Sequence, residues 1–124
     1  MLQRRLTFML LVFAFIPAHS PAQTLRDTTL QMSDGVILDA FYVYPNTPAP
    51  PDGYPAVLLV HGFGGSKSNN NSAAINLARD GYLAASYSVR GQGASGGLFE
   101  FFTSDRVLDD LRAMIAFTKD LPGI

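Results

Sequence analysis

Two short apolar runs without internal alternation, Ala56 to Val60 (AVLLV) and Tyr82 to Tyr87 (YLAASY), lie in the middle of the chain. Continuous runs of this length predict strands buried on both faces of a parallel sheet. Between them, Ser68 to Asp80 starts with polar Ser and Asn residues, carries Ile75, Leu77 and Ala78 inside, and is followed by Gly81. That is the pattern of a helix with a glycine stop. Val107, Leu108, Leu111, Met114, Ile115 and the methyl of Thr118 recur at helical spacing, which predicts a second helix from Thr103 or Ser104 to just before Pro122-Gly123. Asp105 and Lys119 complement its dipole at the two ends, and Asp105, Asp109 and Asp110 read as a solvated face.

Upstream, Leu25 to Met32 and Val36 to Tyr44 are rich in Thr, Val, Ile, Phe and Tyr and flank Ser33-Asp34-Gly35, a turn signal. They predict a β-hairpin. Pro45 to Pro55 (PNTPAPPDGYP) is an exposed connector, because its prolines remove donors and fix φ. The order is hairpin, buried strand, helix, buried strand, helix, which implies an α/β fold: an antiparallel hairpin followed by parallel strands with flanking helices. Two parallel strands alone would leave a long apolar edge, so residues 23–124 are expected to be the N-terminal portion of a larger domain.

The first residues follow a different pattern. Met1 to Arg5 is basic, Leu6 to Ile16 (LTFMLLVFAFI) is almost purely apolar, and Pro17 to Ala22 supplies small residues for cleavage. This order reads as a secretory signal peptide over residues 1–22, cleaved after Ala22. The apolar run is too short for a permanent membrane span. A secreted or periplasmic product is expected, by the general secretory route, since Thr7 stands where a twin-arginine signal wants a large apolar residue.

Charge and composition then narrow the chemistry. Removing Arg4 and Arg5 with the signal leaves a formal charge of about −3, so nucleic acid is not an expected partner. The chain has no cysteine and only two histidines, His19 and His61, of which the first departs with the signal. No disulfide, cysteine nucleophile, metal site or cofactor is expected from it.

Reactive groups gather at the carboxyl ends of strands in parallel sheets, and Val57 to Ser66 (VLLVHGFGGS) occupies such an end. Acyl transfer develops negative charge on an oxygen, which aimed backbone N–H groups stabilise, and Gly62, Gly64 and Gly65 let the backbone turn tightly enough to present them. Gly62 to Ser68 looks faintly like a phosphate-binding loop, but Ser66 replaces the glycine required before lysine. Gly93-Ala94-Ser95-Gly96-Gly97 matches G-x-S-x-G, yet a nucleophile elbow needs a strand running into the serine and a helix leaving it. Arg90 to Gln92 and Leu98 to Phe102 separate Ser95 from both, so Ser95 is not expected to be the nucleophile.

The His61-Gly62-Phe63 turn resembles the His-Gly-X turn after the third strand of α/β-hydrolases. Ser88-Val-Arg-Gly-Gln-Gly-Ala-Ser-Gly-Gly97 resembles the Asp-x-Arg-Gly-x-Gly-x-Ser loop that follows their fourth strand, with Ser88 in place of the aspartate. The resemblance implies that the Phe63 N–H is one oxyanion donor, supported by His61, Gly62 and Gly64, and that His61 orients the loop and is not the catalytic base. It implies a structural loop at Arg90, Gly91, Gly93 and Ser95. It places the catalytic triad beyond Ile124, with the second donor on the residue after the nucleophile.

Ser33 to Asp39, the 90–97 loop and Val107 to Ile115 together resemble the X-Pro dipeptidyl-peptidase and cocaine-esterase group. Some members of that group use a tyrosine hydroxyl as an oxyanion donor. Phe63 has none, which leaves the backbone donor of ordinary esterases and lipases. The expectation is a secreted serine hydrolase acting on a small ester or short peptide by a Ser-His-Asp mechanism. A carboxylesterase or lipase of the same fold, and a non-catalytic binding module, remain open alternatives.

Overall fold

The computed structural model describes residues 22–124. The signal peptide expected over residues 1–22, with His19, therefore lies outside the described residues except for Ala22 itself. The hairpin forms as strands β1 (Arg26–Gln31) and β2 (Ile37–Val43), paired antiparallel from Arg26 opposite Tyr42 to Gln31 opposite Ile37. Its turn is closed by the Gly35 N–H to the Met32 carbonyl at 2.9 Å and by the Val36 N–H to Asp34 Oδ1 at 3.2 Å. Gly35 sits at φ +85°, a conformation that costs a residue with a Cβ roughly 1–2 kcal/mol.

Strands β3 (Ala56–Val60) and β4 (Leu83–Tyr87) complete a four-stranded sheet in the order β1-β2-β4-β3. β4 pairs antiparallel with β2 and parallel with β3, so it lies between two partners, and all five of its residues are buried. The expectation of burial on both faces fails for β3. Val57, Leu58 and Leu59 are only half-buried, and Ala56 and Val60 are exposed. Among the described residues β3 is the sheet's edge, with a strand partner on one side alone, and an apolar run cannot by itself reveal how many neighbours a strand has.

The predicted helix at 68–80 starts as a 3-10 turn, Lys67–Asn70, and becomes regular in α1 (Asn71–Arg79). Asn69 Oδ1 accepts from the Ser66 N–H at 2.8 Å, a side-chain closure that favours the tighter first turn. Gly81, at φ +94°, ends the helix as expected. The second helix, α2 (Asp105–Asp120), begins where Ser104 caps it by accepting from the Val107 N–H at 3.2 Å.

Alternate strand residues feed two cores on opposite faces of the sheet. Phe41, Val43 and Ala84 pack with Ala74 and Ala78 of α1. Leu38, Ala40 and Tyr87 pack with Val107 and Met114 of α2. Two sequence expectations for α2 are corrected here. Leu108 and Ile115 are exposed, because the sheet takes only the stripe through Val107, Met114 and Thr118. Asp110 is not on a solvated face. It lies one turn along that buried stripe, 2 % exposed, while Asp105 and Asp109 are exposed.

Candidate functional site

Because β3 and β4 are parallel and Val60 pairs with Tyr87, the loops leaving their carboxyl ends emerge side by side. The first runs through His61 to Ser66 and the second through Ser88 to Gly97. His61 joins them. Its buried ring accepts the Val89 N–H at Nε2 (2.9 Å), which places the proton on Nδ1, where it meets the Gly62 carbonyl at 2.7 Å. With both nitrogens engaged, the ring holds the loop in place and has no lone pair to offer a substrate.

Residues 62–65 form a tight turn closed by the Gly65 N–H to the Gly62 carbonyl at 3.1 Å. Gly64, at φ +74°, takes the position of a type II turn that demands positive φ. A Cβ at Gly65 would come within 2.9 Å of Asn69 Oδ1 and 3.1 Å of His61 Nδ1, so glycine is also required by space there. The Gly64 N–H is taken by Gln92 Oε1 at 2.8 Å, reaching across from the second loop. Phe63 is 77 % exposed, and among the described residues nothing accepts its N–H. Among the described residues the turn therefore leaves the Gly62 and Phe63 N–H groups without an acceptor at the end of β3, with the peptide that follows Phe63 pinned by Gln92.

Lys67 extends this anchoring. Its N–H donates to Ser88 Oγ at 2.9 Å, so the serine that stands in the place of aspartate still fastens the two loops. Its ammonium bonds Asp27 and Asp39, each at 2.7 Å, and the Ala40 carbonyl at 3.2 Å. Burial alone would lower the pKa of this lysine, but the two carboxylates outweigh it and hold the group above its usual value. Ser86, buried in β4, accepts from Asn70 Nδ2 at 3.0 Å and fixes the start of the helix from the other side.

The second loop is organised by Arg90. Its Nε and Nη2 donate to the two oxygens of Asp110, both at 2.8 Å, and Nη1 donates to Asp34 Oδ2 at 2.5 Å. The fork thus ties α2 and the hairpin turn to the end of β4. Hydrogen bonds to Asp110 and then Asp34 raise the guanidinium pKa further, so Arg90 is charged at every accessible pH. The bond from Arg90 holds the Asp34 carboxyl below its ordinary value, so this contact is complete above the usual carboxylate range and fails only as pH drops through the depressed pKa. Gly91 and Gly93 both adopt positive φ. A Cβ on Gly91 would fall 2.2 Å from the Phe99 nitrogen, and one on Gly93 would fall 2.7 Å from Ser88 Oγ.

Ser95 is bound into this framework. Its Oγ accepts the Asp39 N–H at 2.9 Å and donates to the Ser88 carbonyl at 2.5 Å, bridging β2 and β4 beyond the end of their ladder. The hydroxyl proton is committed to a carbonyl, and both ring nitrogens of His61 are engaged elsewhere, with the Val89 N–H and the Gly62 carbonyl. The structure thus brings His61, Gly62, Phe63 and Gly64 together with Arg90, Gly91, Gly93 and Ser95 at one end of the sheet. Sequence reasoning missed Gln92, Lys67 and Asp110. For Asp110 a signal existed, a carboxylate on the apolar stripe of a helix; for Gln92 and Lys67 there was none, because their partners lie 28 residues away.

The family described as serine aminopeptidase, S33, matches residues 52–122, more than half of the chain. No curated protein sequence matches it significantly. Among solved structures, a hypothetical protein from Pseudomonas aeruginosa is similar with a TM-score of 0.69 at 22 % identity, over 85 % of this chain and 33 % of that one. The Pyrococcus furiosus esterase Pf2001 gives a TM-score of 0.64 at 21 % identity, over 82 % of this chain and 38 % of the esterase. The α/β-hydrolase GrgF from Penicillium sp. sh18 gives 0.64 at 22 %, over 80 % and 33 %. The chain spans little more than a third of the length of these structures.

Proposed function

The chain belongs to the serine aminopeptidase S33 family of α/β-hydrolases, and from that premise we propose that it supplies the oxyanion loop of a secreted serine hydrolase. The observation that carries this reading is the unpaired Phe63 N–H, held on a pinned turn at the carboxyl end of β3. In acyl transfer a nucleophilic serine adds to the substrate carbonyl and the carbonyl oxygen becomes anionic. A donor already aimed at that oxygen stabilises it without reorganising, and the N–H of the residue after the nucleophile completes the pair. The serine, its histidine and its aspartate are assigned to residues beyond Ile124, in keeping with the share of each neighbour that this chain covers. The substrate is a small ester or a short peptide. Absence of a hydroxyl on Phe63 favours the esterase branch over those X-Pro dipeptidyl-peptidase relatives that use a tyrosine donor.

The test is a fluorophosphonate reaction with the complete gene product, followed by peptide mapping. The expected outcome is one phosphonyl group per chain, parallel loss of acetyl-ester hydrolysis, and an adduct on a serine other than Ser95. An adduct on Ser95 would overturn the assignment of the nucleophile. No adduct and no hydrolysis would mean that the protein is a binding module on a hydrolase fold.

A further inference from the structure

Two hydrogen bonds cross between the loops in opposite directions. The His61 ring of the first loop accepts the Val89 N–H of the second, and Gln92 Oε1 of the second accepts the Gly64 N–H of the first at 2.8 Å. The Gln92 backbone is itself fixed: its N–H donates to the Val89 carbonyl at 2.9 Å, and its carbonyl accepts from the Ser95 N–H at 3.1 Å. Gly64 sets the orientation of the side-chain amide, because a donor there requires the oxygen and turns Nε2 the other way. Gln92 is only 9 % exposed, and Nε2 is buried with no hydrogen-bond partner. No other buried side-chain nitrogen or oxygen among the described residues is left so. An enclosed donor without an acceptor destabilises a folded chain, and its persistence calls for a reason outside folding.

We infer that Gln92 is a positioning residue of the hydrolytic reaction: its amide fixes the Phe63–Gly64 peptide and so keeps the adjoining Phe63 N–H aimed, although this leaves Nε2 unpaired. The inference rests on the oxyanion reading above. The Phe63–Gly64 peptide is the central one of the 62–65 turn, with Gly64 at φ +74°. Turning that peptide over converts a type II turn into type I, and glycine accepts either sign of φ, so the turn alone does little to prevent the flip. The bond from Gly64 to Gln92 exists in only one of the two arrangements. The Phe63 N–H lies one Cα away from that peptide and loses its fixed direction once the peptide is free. A donor stabilises an anionic oxygen without reorganising only while the backbone around it is fixed. The loss therefore falls on the transition state and not on substrate binding.

The test measures p-nitrophenyl acetate hydrolysis and urea unfolding for the complete gene product and its Gln92→Met variant, alone and combined with Phe63→Ala or Phe63→Pro. Methionine matches glutamine in length but has neither the acceptor for Gly64 nor the unpaired donor. At worst one unpaired donor, Nε2, is exchanged for another, the Gly64 N–H, so the urea midpoint stays level or rises. Gln92→Met is expected to lower kcat about ten- to a hundredfold with KM little changed, in wild type and beside Phe63→Ala alike. Beside Phe63→Pro, where no N–H remains to be aimed, it lowers kcat no further. A residue that only held the fold together would add its loss in every background. The inference is overturned by a kcat within about twofold of wild type, by the same added loss beside Phe63→Pro, or by a lowered urea midpoint. If Phe63→Pro and Phe63→Ala are equally fast, or if wild type neither cleaves the ester nor takes phosphonate, it is the oxyanion reading that fails, and this inference with it.

Discussion

Replacing Phe63 with proline lowers kcat for an acetyl ester by about 10²–10³ relative to Phe63→Ala, with KM little changed. Proline is the residue that isolates the effect. It has no N–H, and its fixed φ suits the first central position of a type II turn, which Phe63 occupies ahead of Gly64 at φ +74°. Gly62 precedes it and tolerates the extended conformation that proline imposes. The turn therefore survives with its Gly65-to-Gly62 bond and its Gly64-to-Gln92 bond, and only the donor is lost. Phe63→Ala is the proper reference, because it removes the same ring but keeps the N–H. A deficit of this size corresponds to about 3–4 kcal/mol of transition-state stabilisation. Equal rates for the proline and alanine variants would place the oxyanion donor elsewhere.

Asp110→Ala is expected to destabilise the protein by about 3–5 kcal/mol, read as a lower midpoint in urea with an unchanged slope. Both partners are nearly inaccessible, with side chains 5 % and 3 % exposed for Arg90 and Asp110. Removing the carboxylate leaves a buried guanidinium with two of its donors unpaired, and only Asp34 remains to it. Arg90 cannot escape the cost by losing its proton, because a guanidinium stays protonated at every accessible pH even without that carboxylate. Replacing both partners with apolar residues of similar volume, Arg90→Met with Asp110→Leu, recovers most of the loss, since no buried charge is then left alone. A single-variant loss below about 1 kcal/mol would show that water reaches the pair.

Much of this framework could be read along the chain. The hairpin, strands β3 and β4 and both helices fall where the hydrophobic pattern puts them, because each period maps onto one type of element. The two loops were found for a related reason: the glycines at 64, 91 and 93 hold positive φ, and those at 65, 91 and 93 also sit where a Cβ would collide, so composition records the backbone path directly. What escaped depended on partners distant in sequence. β3 reads as doubly buried, but its exposure is set by which strands flank it. Asp110 reads as surface when its charge is weighed alone; its place on the apolar stripe of α2 was the signal, and its partner Arg90 lies 20 residues away in the loop after β4. Gln92 reads as one polar residue in a glycine loop, although its carbonyl holds the Gly62–Gly65 turn. Its Nε2 is buried without a hydrogen-bond partner among the described residues.

The central claim, that the Phe63 peptide is an oxyanion donor, is tested most directly by a crystal structure of the complete gene product after reaction with a fluorophosphonate. The phosphoryl oxygen then stands for the anionic oxygen of the tetrahedral intermediate. That oxygen is expected about 2.7–3.1 Å from the Phe63 nitrogen, with the 62–65 turn and its bond to Gln92 unchanged. A phosphoryl oxygen held by other donors, with the Phe63 N–H pointing away from it, would contradict the account.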